Sequence, residues 1–186
     1  MLNDPIPERP RHDGEGVFLR FLSSSPEETR LLGESIFRFC LPGMFILLYG
    51  NLGSGKTEFV RGFARGAGWD DVRSPSFTIV NEYPTEPPIV HVDLYRIDEG
   101  SSSEFSLEEY SRDGCVTLVE WAERWEIPPL MDILEARFYS MGDLPGNISG
   151  DDRLRVIDLS CSGEGACEGL KRFLPEFDDL LKRLGH

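Results

Sequence analysis

The chain has 186 residues, 40% of them hydrophobic and 28% charged, the size and balance of one globular domain. Nineteen Lys and Arg against 33 Asp and Glu leave a net charge of −14. That excludes a stand-alone nucleic-acid binder, which needs a basic footprint to displace counterions, and an electrostatic hold on anionic lipid.

Residues 1–16 lack apolar periodicity and read as a flexible tail ahead of a domain over 17–186. The polar, Pro-containing start does not read as a secretory signal. The longest apolar run, Met44 to Tyr49, has six residues, far short of a membrane span. The expected location is therefore the cytoplasm, with all four cysteines as reduced thiols, since none forms a C-x-x-C pair. Val17–Leu22 alternates as a short strand. Ser25-Pro26-Glu27-Glu28 opens a helix, with Ser25 as cap, Pro26 at the first helical position and Glu28 completing a capping box. Leu41-Pro42-Gly43 closes it. Phe45–Tyr49 is apolar on both faces, as a buried central strand is. A Gly-rich stretch follows, then a helix from Lys56 to about Ala67. Further strands are expected over Ile79–Tyr83, Ile89–Leu94 and Val116–Val119, with a short helix over Glu104–Ser111. Ile133–Phe138 and Leu154–Leu159 read as half-exposed strands, paired across loop 140–152. The C-terminal Leu and Phe residues recur at helical spacing, with a kink or restart expected at Pro175. Strands and helices interleave, which predicts an α/β fold with a mainly parallel centre.

Gly50-Asn51-Leu52-Gly53-Ser54-Gly55-Lys56-Thr57 matches G-x-x-x-x-G-K-[ST]. Its glycines let backbone N–H groups turn inward around a polyanion. The following helix aims its positive end at the phosphates. Lys56 reaches the β- and γ-phosphates, and the Thr57 hydroxyl can ligate Mg²⁺. The expected contact stretch runs through Glu58. A phosphate loop also needs a carboxylate at the end of a buried strand, and two apolar runs supply one: Ile89–Asp93 ends in Asp93, and Val116–Glu120 ends in Glu120. Ser74-Pro75-Ser76-Phe77-Thr78 offers three hydroxyls, including Thr78, to a γ-phosphate or its magnesium, as switch segments do. Buried-strand His91 reads as a hydrogen-bonded core residue. Arg61 and Arg65, at i and i+4, read as a solvated or partner-facing edge.

Taken in order, the phosphate loop, Ser74–Val80, His91-Val92-Asp93-Leu94-Tyr95-Arg96 and Leu118-Val119-Glu120-Trp121 resemble the TsaE (YjeE) ATPases, from about Ser25 to about Leu159. These proteins serve bacterial synthesis of N6-threonylcarbamoyladenosine at tRNA position 37. The resemblance implies a single phosphate-loop domain of three layers, with a mixed sheet, parallel in the centre and antiparallel at its flanks. It implies a weak, Mg²⁺-dependent ATPase that acts with the TsaB–TsaD pair and meets tRNA only through that complex. Asp93 and Glu120 would serve the metal and the attacking water, with Lys56 on the phosphates. Thr29 would lie near the nucleotide, Trp121 beside Glu120, and Arg96 near the switch. Glu58 departs from the family, which usually has a small hydroxylated residue there, and puts negative charge close to the phosphates. A small-molecule kinase would need an acceptor pocket and an Arg-bearing lid. A GTPase would need an N/T-K-x-D segment, which is missing. A nucleotide-dependent interaction switch remains the third reading.

Overall fold

Among the described residues, seven strands make one mixed sheet: β1 (Phe18–Ser23), β2 (Phe45–Tyr49), β3 (Val80–Tyr83), β4 (Ile89–Asp93), β5 (Val116–Glu120), β6 (Ile133–Ser140) and β7 (Arg155–Ser162). The helices are α1 (Pro26–Phe37), α2 (Lys56–Gly66), α3 (Leu107–Arg112) and α4 (Glu164–Leu184). They belong to a computed structural model that describes residues 17–75, 78–97, 106–143 and 153–185. The tail expected over 1–16, most of loop 140–152, Ser76 and Phe77, and the expected helix start at Glu104 lie outside the described residues.

The strand order is β1-β7-β6-β2-β5-β4-β3. β2 pairs in parallel with β5 and β6, and β4 in parallel with β5. β3, β7 and β1 add antiparallel flanks. The predicted parallel centre with antiparallel edges is what the chain adopts. Period-two alternation divides the all-buried β2 between the two faces. Ile46 and Leu48 join a core with Phe59 and Phe63 of α2, Leu32 and Ile36 of α1, and Phe173 and Phe177 of α4. Phe45, Leu47 and Tyr49 face Leu107 of α3, Ala122 and Trp125. Burial of each large apolar side chain contributes about 1.5–3 kcal/mol.

α1 begins as its sequence demands. The Ser25 hydroxyl accepts from the Glu28 N–H at 3.2 Å, while the Glu28 carboxylate returns to the Ser24 N–H at 2.7 Å, one residue outside the capping-box pattern. α1 and α2 then cross almost backbone to backbone. A Cβ built on Gly33 would stand 2.3 Å from the Phe59 carbonyl oxygen, and one on Gly62 would stand 1.9 Å from that of Arg30. Beside this glycine seam, Arg65 pairs with Glu34 at 2.6 Å and Glu27 at 3.0 Å. Arg65 is thus tied to α1 while its side chain remains 32% exposed.

Three expectations need correction. β7 is not half-exposed, being buried from Val156 to Cys161, whereas β6 alternates buried and partly exposed positions as expected. Their polar positions pair locally, Arg137 with Glu135 at 2.8 Å and Asp158 with Arg20 of β1 at 2.7 Å. α4 continues as one helix through Pro175, with no restart there. Cys161 and Cys167 are not free thiols but form a disulfide. The turn at Gly163 reverses the end of β7 into α4 and brings the two Cα atoms to 5.2 Å, within bridging distance. Cys40 and Cys115 are free.

Candidate functional site

The loop after β2 reaches α2 through Gly55, whose φ of 107° is open to glycine and strained for other residues. A cleft of about 360 Å³ opens at this end of the sheet, lined by residues 52–58 with Asp93, Glu120, Arg61, Ser74, Tyr95 and Trp121. Asp93 and Glu120 end adjacent parallel strands in matching register, and Leu48 of β2 is Glu120's partner on the other side. Strand alternation aims both carboxylates at the α2 face, since Val92 and Val119 belong to the opposite core.

The Thr57 hydroxyl lies 2.9 and 3.2 Å from the two Glu120 carboxylate oxygens. Lys56 Nζ donates to the carbonyls of Gly50 at 2.6 Å and Asn51 at 3.1 Å, and stands 4.2 Å from the centre of the Trp121 ring. Burial lowers the Lys56 ammonium from the usual lysine range, an effect opposed by the charges of Glu120, Glu123 and Asp93. Trp121 takes a left-handed backbone, φ 60° and ψ 44°, strained for a bulky residue and characteristic of functional turns. Tyr95 packs on its indole at 4.9 Å. Asp93 Oδ1 accepts the Tyr95 N–H at 2.9 Å, fixing the turn after β4. Glu58 is held by Arg30 of α1 at 2.6 Å and by Arg61, so the acidic departure brings its own counter-charges.

The structure thus brings Lys56, Thr57, Asp93 and Glu120 together. Three other expected residues stand outside the cleft lining. Asn51 donates to Asp143, after β6, at 3.3 Å. Thr78 donates to Asn81 at 2.8 Å. Thr29 is buried behind the loop, where its methyl lies 3.8 Å from the place a Gly55 Cβ would take. Arg96 is exposed just beyond β4. Sequence reading did not place Tyr95 or Arg61 at the site. Arg61 could have been found, since it follows Thr57 by four residues on one helix face. The indole of Trp121 over Lys56 had no spacing signal.

A buried parallel strand, a glycine-rich loop and a helix whose first residues are Lys and Thr define a phosphate-loop protein of the α/β class. The family model described as "Threonylcarbamoyl adenosine biosynthesis protein TsaE" matches residues 23–141, and the chain belongs to the TsaE family. The tRNA threonylcarbamoyladenosine biosynthesis protein TsaE of Bacillus subtilis is 42% identical over 106 residues, 56% of this chain and 66% of that protein. Its namesake from Aquifex aeolicus is 40% identical over 104 residues, 54% and 74% of the respective chains. The match to the first spans just under two thirds of that protein's length. The crystal structure of Bacillus subtilis YdiB aligns with a TM-score of 0.67 at 28% identity, covering 88% of this chain and 98% of that one. Among the described residues, no helix is long and apolar enough to cross a membrane.

Proposed function

We propose that this chain binds and hydrolyses Mg·ATP and that its turnover serves formation of N6-threonylcarbamoyladenosine at tRNA position 37, in the cytoplasm and in company with a TsaB–TsaD pair. The observation that carries the reading is the convergence of Lys56, Thr57 and Glu120. A phosphate-binding ammonium and a hydroxyl–carboxylate pair 2.9 Å apart meet at the mouth of one glycine-rich loop.

The residues suit the group they would hold. Among the described residues, no cluster of three His, Cys, Asp or Glu side chains could hold a metal alone. Mg²⁺ does not require one, because it takes one or two protein oxygens and draws its other ligands from phosphates and water. Thr57 with Glu120 or Asp93 would supply the protein share. When bound, the ion neutralises charge on the phosphates. Lys56 would exchange the Gly50 and Asn51 carbonyls for phosphate oxygens. The amides of residues 53–57 would surround the polyanion. Glu120, 3% exposed, is sheltered enough to orient a water without being swamped by solvent.

The family name carries the tRNA reading, and the net charge of −14 favours contact with tRNA through partners rather than directly. The test is ATP hydrolysis by the pure protein with and without a purified TsaB–TsaD pair. Slow turnover that rises with the pair is expected. Turnover indifferent to the pair would remove the partnership, and failure to bind ATP would remove the reading altogether.

A further inference from the structure

We propose that His91 is a positioning residue whose imidazole fixes the orientation of the Glu120 carboxylate, and that Tyr83 in turn fixes the imidazole. The inference deepens the hydrolysis reading above and rests on it.

His91 sits mid-strand in β4 and is 0% exposed. Its neighbours Val90 and Val92 point to the opposite core, so His91 faces the same side as Asp93 and Glu120. Burying an imidazole there costs free energy unless its nitrogens are satisfied. Both are. Nε2 lies 2.9 Å from Glu120 Oε1, and Nδ1 lies 3.3 Å from the Tyr83 hydroxyl.

The donor inventory fixes the direction of the bond to Glu120. An ionised carboxylate only accepts, so Nε2 carries the proton that Glu120 receives. Nδ1 meets the Tyr83 hydroxyl at 3.3 Å. The Tyr83 hydroxyl is itself held by the Arg73 carbonyl, to which it donates at 3.2 Å and which also accepts the Asn81 amide at 3.0 Å. Tyr83 itself is 5% exposed and stacks on Trp69 at 5.9 Å. The relay therefore ends on a packed aromatic pair rather than in solvent.

His91 is not among the residues lining the cleft, so it does not touch the nucleotide. Its bond acts on Glu120 alone. In the reading above Thr57 is committed to the metal, which leaves His91 as the group that holds the carboxylate from behind. A bond from a buried donor to a charged acceptor is strong enough to select one carboxylate rotamer.

Loss of this hold should slow turnover and spare binding. The test pairs a direct ATP titration with steady-state hydrolysis in the presence of the TsaB–TsaD pair. His91→Phe keeps a ring but removes the donor. It should lower turnover by about tenfold or more, with ATP affinity within about twofold of wild type. His91→Gln, whose amide nitrogen can stand near the position of Nε2, should recover most of the loss. Tyr83→Phe should lower turnover by about two- to fivefold with unchanged affinity. A folded His91→Phe protein with wild-type turnover, or a His91→Gln protein as slow as His91→Phe, would overturn the proposal. So would a parallel loss of binding and turnover. Should His91→Phe fail to fold, Tyr83→Phe and His91→Gln decide. Wild-type turnover in Tyr83→Phe, or a slow His91→Gln, overturns the relay. If wild type itself does not bind ATP, the hydrolysis reading falls first, and that failure is read from the unmutated protein.

Discussion

Gly62→Ala sets two known effects against each other. In the middle of a helix the change stabilises by about 1 kcal/mol, because glycine has more backbone freedom to lose. The crossing of α1 and α2 opposes it. A Cβ at residue 62 would lie 1.9 Å from the Arg30 carbonyl oxygen and 2.6 Å from the Arg30 carbonyl carbon and Cα. These are backbone atoms, which cannot rotate away, so the helices would have to part by about 1.5 Å to restore ordinary contact. Parting them also loosens the edge-on packing of Phe37 on Phe63, now 5.3 Å between ring centres. Overpacking of this kind costs about 1–3 kcal/mol, and an unyielding backbone places it at the upper end. The net loss should be about 2 kcal/mol or more, which lowers the melting temperature by roughly 4–8 °C in a domain of this size. Thermal and urea unfolding followed by circular dichroism would measure it. A Gly62→Ala protein that melts at or above the wild-type temperature would refute the reasoning. The Gly62→Ala/Arg30→Ala double variant should be no more stable than Gly62→Ala, since the obstruction is main chain.

Lys56→Ala should weaken ATP binding by about thirtyfold or more, since charge-assisted bonds to phosphate disappear with the ammonium; a calorimetric titration checks it. Glu120→Gln should lower turnover by about a hundredfold while leaving affinity within a few-fold, and matched losses of both would make Glu120 a binding ligand. Asp93→Ala should raise the Mg²⁺ concentration for half-maximal activity by about tenfold, with recovery at saturating metal; an unchanged Mg²⁺ titration would leave Asp93 a strand-end residue only. Burial beside Phe39, Met44 and Leu170 pushes the Cys40 thiol up to about 12. In a Cys115→Ser background its alkylation at pH 8 should be about a thousandfold slower than in the unfolded chain, rising as pH climbs toward that value.

The phosphate loop and its flanking elements were legible because each rests on local chemistry. β2 is apolar at all five positions, and the loop must have glycines where the backbone turns inward. Asp93 and Glu120 were legible as strand ends. That they stand side by side depends on the β4–β5 register, which no local pattern encodes. The same register makes His91, 29 residues from Glu120 in sequence, its hydrogen-bond partner; alone in an apolar strand, it gave no hint of which group it served. β7 looked half-exposed because Asp158 interrupts its apolar run, yet that charge is matched within the sheet by Arg20. The disulfide was missed because six residues of sequence separation mean little until a strand, a turn and a helix fold them together. Glu58 read as a charge facing phosphate because its partner, Arg30, lies 28 residues away on α1.

The antiparallel seam between β1 and β7 joins Phe18 to Ser160 and Ser23 to Arg155, with Arg20 and Asp158 bonded 138 positions apart. It orders events during synthesis. β2, α2, β4 and β5, which frame the cleft, have all emerged from the ribosome while β1 still lacks its neighbour, so the first strand made is among the last to dock. A message ending soon after Ser140 would encode Lys56, Thr57, Asp93 and Glu120 intact. Its product would nonetheless leave β1 with no partner strand, and with it Ser23, whose hydroxyl lies 2.8 Å from that of Thr29, the residue that backs the loop.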